Sequence, residues 1–265
     1  MFEGNQSVIA VFLPLALVFV VIEALVAHFR KEAIHSLPDT MCNLAILLIG
    51  RLSQPLFTIY IYFTLSAVEK VAPFHLPEST ATTIAAVLFT DFIYYWQHRW
   101  SHKNRYLWFF HEVHHSSKFF NLATSFRLHW LGRIMAPIFF APAILCGFRA
   151  EQVALFFILN LFYQFFLHTK LIGKIPFVEG IFNTPSAHRV HHSRNKEYLN
   201  KNFGGILMLW DHVFGTYQAE GSTPVFGTIG RFESNNPFTV QFHKLKGYEK
   251  LTHWITAKMP LGRKT

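Results

Sequence analysis

Cysteine is nearly missing from this chain: Cys42 and Cys146 are the only two in 265 residues. Neither stands in a C-x-x-C or mixed Cys/His spacing, which excludes a disulfide framework, a zinc finger and a thioredoxin-type redox motif. Charge is scarce as well. Asp, Glu, Lys and Arg make up 15% of the residues, against about 25% in an ordinary soluble domain. A net charge of +9 would suit nucleic acid, but no helix-turn-helix, RNA-binding or zinc-finger pattern accompanies it, and the basic residues are scattered between oily runs. There is no nucleotide fingerprint and no haem-binding HPGG stretch. What the chain has instead is oil and histidine: 51% hydrophobic residues, 30 phenylalanines and 16 histidines.

A membrane-crossing helix needs about 20 mostly apolar residues. Residues 8–27 meet this, broken by Pro14 and Glu23. No basic n-region or small-residue cleavage site precedes them, so a retained span is expected rather than a removable signal. A second span is expected over 44–65, despite Arg51 and Pro55, and a third over 82–96, ending on the interfacial aromatics Tyr94, Tyr95 and Trp96. Residues 134–145 and 153–167 predict a helical hairpin around GFRAEQ, its first arm kinked or partly inserted because of Pro137 and Pro142. The chain from Ile181 onward is polar. The expected fold is an all-α integral membrane protein of about four to five transmembrane or re-entrant helices, with a helical, histidine-rich cytoplasmic cap. Residues 1–90 would hold the N-terminal spans, 91–245 the third span, hairpin and histidine clusters, and 246–265 a tail.

Orientation follows from basic residues near span ends. The N-terminal tail has none, whereas Arg30 and Lys31 follow the first span, which predicts an outside N-terminus and an inside loop. Alternation then places His98 inside, and the hairpin returns the chain to the same side. All the histidine clusters are thereby expected on the cytoplasmic face.

Eight of the histidines fall in three five-residue windows: HRWSH at 98–102, HEVHH at 111–115 and HRVHH at 188–192. On a helix, residues three and four apart share a face. His98 and His102 can therefore grip one metal, and in each later window the first histidine can pair with one three or four places on. Adjacent histidines point about 100° apart, so one window can serve two metals. Imidazole suits iron, copper, zinc and nickel alike, and the ligands alone do not choose among them. His111, Glu112 and His115 also spell the HExxH of a zinc hydrolase with Glu112 as base. A single zinc, however, needs only three or four ligands. A metal-binding or transport protein is the other alternative, but its ligands would be expected inside the spans, whereas these lie beyond the span ends.

Taken with DFIYYWQHRWSH, HEVHHSSKFFNLATSFRLH, NLFYQFFLHTKLIG, NTPSAHRVHHSRNKEYLNKNFGGILMLWDHVFGTY and NNPFTVQFHKL, the order of the windows resembles the membrane fatty acid hydroxylase and sterol desaturase superfamily. Within it the chain looks most like the subgroup containing alkylglycerol monooxygenase-like and bacterial sterol-desaturase-like proteins. The likeness runs over 91–245. It implies a non-haem di-iron oxygenase that hydroxylates or desaturates an aliphatic position of a membrane lipid, with O2 as co-substrate and a separate reductase or electron carrier as partner. It implies His98, His102, His111, His114, His115, His188, His191 and His192 as iron ligands, with His168 as a further ligand. His129 matches a histidine of many relatives and is a ligand, a hydrogen-bond partner of one, or an interface residue. Each ligating imidazole needs a carboxylate or carbonyl for its other nitrogen, and Asp91, Glu112 and Asp211 are the acids nearest the windows. Two positions depart from alkylglycerol monooxygenase: Lys103 replaces a glutamate and Ala187 a histidine.

Overall fold

The computed structural model describes residues 3–230 and 232–248; there the chain is helical and forms only isolated bridges in place of strands. The expected tail of 246–265 lies, from 249 on, outside the described residues. Helices α1 (Glu3–Phe29) and α2 (Leu37–Lys70) are long and apolar enough to cross a membrane. Both turn their oil outward: Val18, Val21, Ile22 and Leu25 on α1, and Leu48, Leu52, Leu56 and Phe63 on α2, are exposed. Such faces are costly in water and cost nothing against lipid chains.

At 34 residues, α2 is about 50 Å long at 1.5 Å per residue and outruns the span expected from apolarity alone. The extra length at its start is polar but buried. Asp39 and Asn43 both accept hydrogen bonds from Arg127, at 2.9 and 3.0 Å, so the first turns of α2 belong to the cap. Helix α3 (Thr80–Lys103) starts where the Ser79 hydroxyl accepts from the Thr82 amide, and runs past the expected third span to carry the first histidine window. By length and composition only α1 and α2 pass as spans among the described residues; the last turns of α3 are too polar.

Helices α5 (Ala136–Leu145) and α6 (Ala150–Phe165) form the expected hairpin, both arms too short to pass as full spans. Its turn needs Gly147, which has φ +92° and on which a Cβ would lie 2.7 Å from the Phe74 ring. The Gly147 carbonyl accepts from the Leu76 amide at 2.9 Å, fixing the turn against the loop between α2 and α3. Ile93 and Ala86 of α3 meet Phe139, Phe140 and Ala143 of α5 and Val153 of α6 in one core. A second core joins Ala16 and Val20 of α1 to Phe165 and to the 3-10 turn Leu122–Phe126. The cap is completed by α4 (Arg105–His115), α7 (Pro185–His192), α8 (Leu209–Val213) and α9 (Pro237–Phe242).

Both cysteines are free, Cys42 buried at the start of α2 and Cys146 exposed at the end of α5. Cys146 lies beside the α2–α3 loop, about 40 Å along α2 from Cys42 at helical rise, whereas disulfide-bonded Cα atoms stand about 4.4–6.8 Å apart. In sealed right-side-out vesicles a membrane-impermeant thiol reagent should label Cys146 and leave Cys42 untouched. Labelling of Cys42 alone would reverse the orientation.

Candidate metal centre

The three windows, separated by up to 94 positions of sequence numbering (98 to 192), meet in space. Donor atoms of His98, His102, His111, His115 and His191 form one group, and those of His114, His168, His188 and His192 form another, each within 4.8 Å. Helix α4 begins at Asn104, whose side chain accepts from the Tyr106 and Leu107 amides. The helical turn then divides its window, with His111 and His115 toward the first group and His114 toward the second. Helix α7 begins at Thr184, whose hydroxyl accepts from the Ala187 amide, with Pro185 next in line. It divides its window in the same manner, His191 to the first group and His188 and His192 to the second.

Nitrogen faces nitrogen inside each group. The Nε2 of His111 is 3.1 Å from those of His98 and His115, and the Nε2 of His168 is 3.1 Å from those of His114 and His188. The opposite edges of three rings donate to carbonyls: His98 Nδ1 to Phe203 (2.9 Å), His168 Nδ1 to Gln164 (2.8 Å) and His191 Nδ1 to Lys201 (3.0 Å). That fixes the Nε2 of each as a lone pair aimed inward. His102, His191 and His192 bury an Nε2 with no hydrogen-bond partner. Burial, reinforced in most by neighbouring imidazoles, pushes the pKa of all nine down, to about 4 for His98 and His168, so each ring is neutral. Clustered, inward-facing lone pairs are repulsive on their own and complementary to a cation. Two nitrogens about 2.1 Å from one ion and at right angles stand about 3.0 Å apart. The donor set therefore fits two metal ions.

No carboxylate touches a ring of either group among the described residues; backbone carbonyls take that place. Asp211 acts one bond further out. It accepts from the amides of Phe203 (2.8 Å) and Gly204 (2.7 Å) and from the Thr216 hydroxyl (2.6 Å), and so holds the carbonyl that orients His98. Asp91 accepts from the amides of Ile206 and Leu207, from Trp210 Nε1 and from Asn160, fastening the same segment to α3 and α6. Glu112 pairs with Lys244 and with His243 at 3.6 Å. His129 belongs to neither group: its Nε2 reaches the Gln241 carbonyl and its Nδ1 accepts from the Leu131 amide, both at 3.1 Å. Both its nitrogens are thus spent on the chain, and its ring sits among Phe109, Phe110 and Phe242.

The carbonyls were not legible from sequence, since any residue carries one. The two glycines of NFGG were the available signal. A Cβ on Gly204 would strike the Leu207 carbonyl, and one on Gly205 the Asn160 amide. Replacing Asp211 with alanine strands two buried amides and frees the Phe203 carbonyl. Metal affinity should fall about 10–100-fold, read by chelator competition, while Asp211→Asn should lose less.

Over the histidines lies a cavity of about 520 Å³, floored by His102, His115, His191 and His192 and walled by Glu112, Arg194, Lys244, Gly227–Gly230 and Phe232. It opens within the cap, with no residue of α1 or α2 in its walls.

The fatty acid hydroxylase family model matches residues 83–216, from the middle of α3's first turns through the second aspartate's segment, and the chain belongs to that family. Over 216 residues the chain is 38% identical to alkylglycerol monooxygenase of Homo sapiens, covering 79% of this chain and 47% of that protein. It is 27% identical over 135 residues to the ornithine lipid hydroxylase OlsE of Rhizobium tropici, covering 51% and 41%. It is 30% identical over 137 residues to the Delta(7)-sterol 5(6)-desaturase ERG3A of Gibberella zeae, covering 50% and 36%. The chain thus spans under half the length of these relatives. No solved structure matches it. By their names these relatives are oxidoreductases of lipids, two of them oxygenating and one desaturating.

Proposed function

We propose that this chain is a membrane-bound non-haem di-iron oxygenase that hydroxylates or desaturates an aliphatic C–H position of a lipid, using O2 and electrons from a separate donor. The observation that carries the reading is the division of nine neutral imidazoles, all buried except the half-buried His102 and His111, into groups of five and four. Bound irons would supply the O2 activation and C–H cleavage that no side chain can perform.

The protein's own part is orientation and enclosure. His98, His102, His111, His115 and His191 would hold one iron, and His114, His168, His188 and His192 the other. The carbonyls of Phe203, Gln164 and Lys201 hold three of the rings in the tautomer a ligand needs. Phe203 and Phe120, both buried, lie against the rings and keep bulk water away. The lipid-facing oil of α1 and α2 supports a lipid as substrate, reached from the bilayer, and Arg30 and Lys31 support a cytoplasmic centre. A single-zinc hydrolase built on Glu112 would leave most of these histidines without purpose. Glu112 is also paired with Lys244.

Protein produced with iron supplied should hold two irons per chain, and lipids of cells containing it should gain an oxygen atom or lose two hydrogens. Elemental analysis that finds one zinc and no iron would overturn the assignment; mass spectrometry of lipids decides between hydroxylation and desaturation.

A further inference from the structure

Between α6 and α7 the chain runs through KLIGKIPFVEGIF, residues 170–182. Ile172, Ile175, Phe177, Ile181 and Phe182 are exposed there, Phe177 at 92%. The end of this loop is tied to α8 and the strand of chain before it. Asn183 donates to the Ile206 carbonyl at 2.8 Å, Met208 to Ile181 at 3.0 Å, and His212 Nε2 reaches the Gly180 carbonyl at 2.9 Å. Helix α8 adds Leu209 and Val213, also exposed. Loop and helix therefore present one apolar surface, not scattered single side chains.

Its level along the molecule decides what covers it. Trp210 Nε1 donates to Asp91 at 2.9 Å, and the Trp210 ring lies 4.9 Å from that of Phe92. Both α3 residues stand inside the stretch 82–96 expected from sequence as the third span. Beside them is an open, wholly apolar groove of Ala85, Leu88, Phe89, Phe92, Phe148 and Trp210. The exposed surface is thus continuous with the outward oil of α3. Lys170 and Lys174 are exposed on the same loop, where anionic headgroups would meet them. Arg189 of α7 donates to the carbonyls of Thr169 (3.0 Å) and Ile172 (2.7 Å), so the loop is fastened to the third histidine window.

We infer that loop 170–182 and α8 form an interfacial platform, embedded at the headgroup–acyl boundary of a bilayer containing anionic phospholipid, which seats the histidine centre against the membrane. The inference rests on the span reading of α3 but not on the metal chemistry, because its test reads position and not turnover.

The full chain carrying Cys146→Ser and Phe177→Cys, labelled at residue 177 with a polarity-sensitive fluorophore, is reconstituted in vesicles of neutral or mixed neutral and anionic phospholipid. Bromine-labelled acyl chains should quench most of the emission, iodide in the water little, and anionic lipid should deepen the lipid quenching. Val213→Cys in the same background should behave alike, while Thr223→Cys, on an exposed cap turn, should be quenched by iodide alone. Quenching of both 177 and 213 by iodide and not by lipid would overturn the platform. Shielding from both quenchers would also overturn it, and loss of that shielding on dilution with lipid would identify a second copy of the chain as the cover.

Discussion

Replacing His111 or His168 with alanine should each remove about one of the two proposed irons and cut the proposed lipid turnover more than about 100-fold, beyond the usual cost of losing a supporting partner. These two rings are hubs. His111 stands 3.1 Å from both His98 and His115, and His168 stands 3.1 Å from both His114 and His188. Removing a hub leaves the flanking lone pairs without their shared neighbour. His168→Ala should be the more severe, because it reduces a group of four to three, whereas His111→Ala leaves four. His129→Ala should keep both irons, since neither of its nitrogens faces a group. Iron per chain, measured beside turnover, checks all three. Equal iron loss in His129→Ala and His168→Ala would mean that the division into two groups is mistaken.

Arg127→Met should destabilise the protein by about 3–5 kcal/mol, the usual cost of stripping one partner from a buried ion pair. Arg127 is 1% exposed. Its guanidinium donates to Ser116 (2.8 Å), Asp39 (2.9 Å), Asn43 (3.0 Å) and the Ser234 carbonyl (3.0 Å). It therefore joins the start of α2, the residue just after the second histidine window and the C-terminal segment. Methionine fills similar volume but leaves the Asp39 carboxylate buried and unpaired. For a chain of this size the melting temperature should drop by about 6–20 °C. Arg127→Lys should restore little, because an ammonium on one stem lacks the planar fork that reaches four acceptors. Adding Asp39→Asn to Arg127→Met should recover part of the loss. A melt within a degree or two of the parent for Arg127→Met would show the network to be dispensable.

The histidine windows were legible because their spacing is a property of the helix itself. Once α4 and α7 form, 3.6 residues per turn splits His114 from His115 and His191 from His192 without further information. His168 carried no such signal alone; it joins the second group because α6 ends beside α4, and only the family likeness pointed to it. The acids were placed near the histidines by sequence proximity, which says nothing of direction. Asp91 and Asp211 instead satisfy amides of the non-helical segment 203–207. Segment ends misled in the same way: apolarity located the second span, but the polar start of α2 continues as helix because its side chains are buried against Arg127.

Because neighbouring histidines in α4 and α7 serve different groups, these two short helices act as indexing cogs. One residue inserted between the Asn104 cap and His111 would turn the downstream window by about 100°, sending each ring toward its neighbour's place or away from both. An insertion in the 170–182 loop leaves the phase of every histidine unchanged. Tolerance to insertion and deletion should accordingly be sharply uneven along the chain, near zero within 104–115 and 184–192 and higher in the exposed 170–182 loop. Length can thus vary in that loop while the two cogs keep theirs.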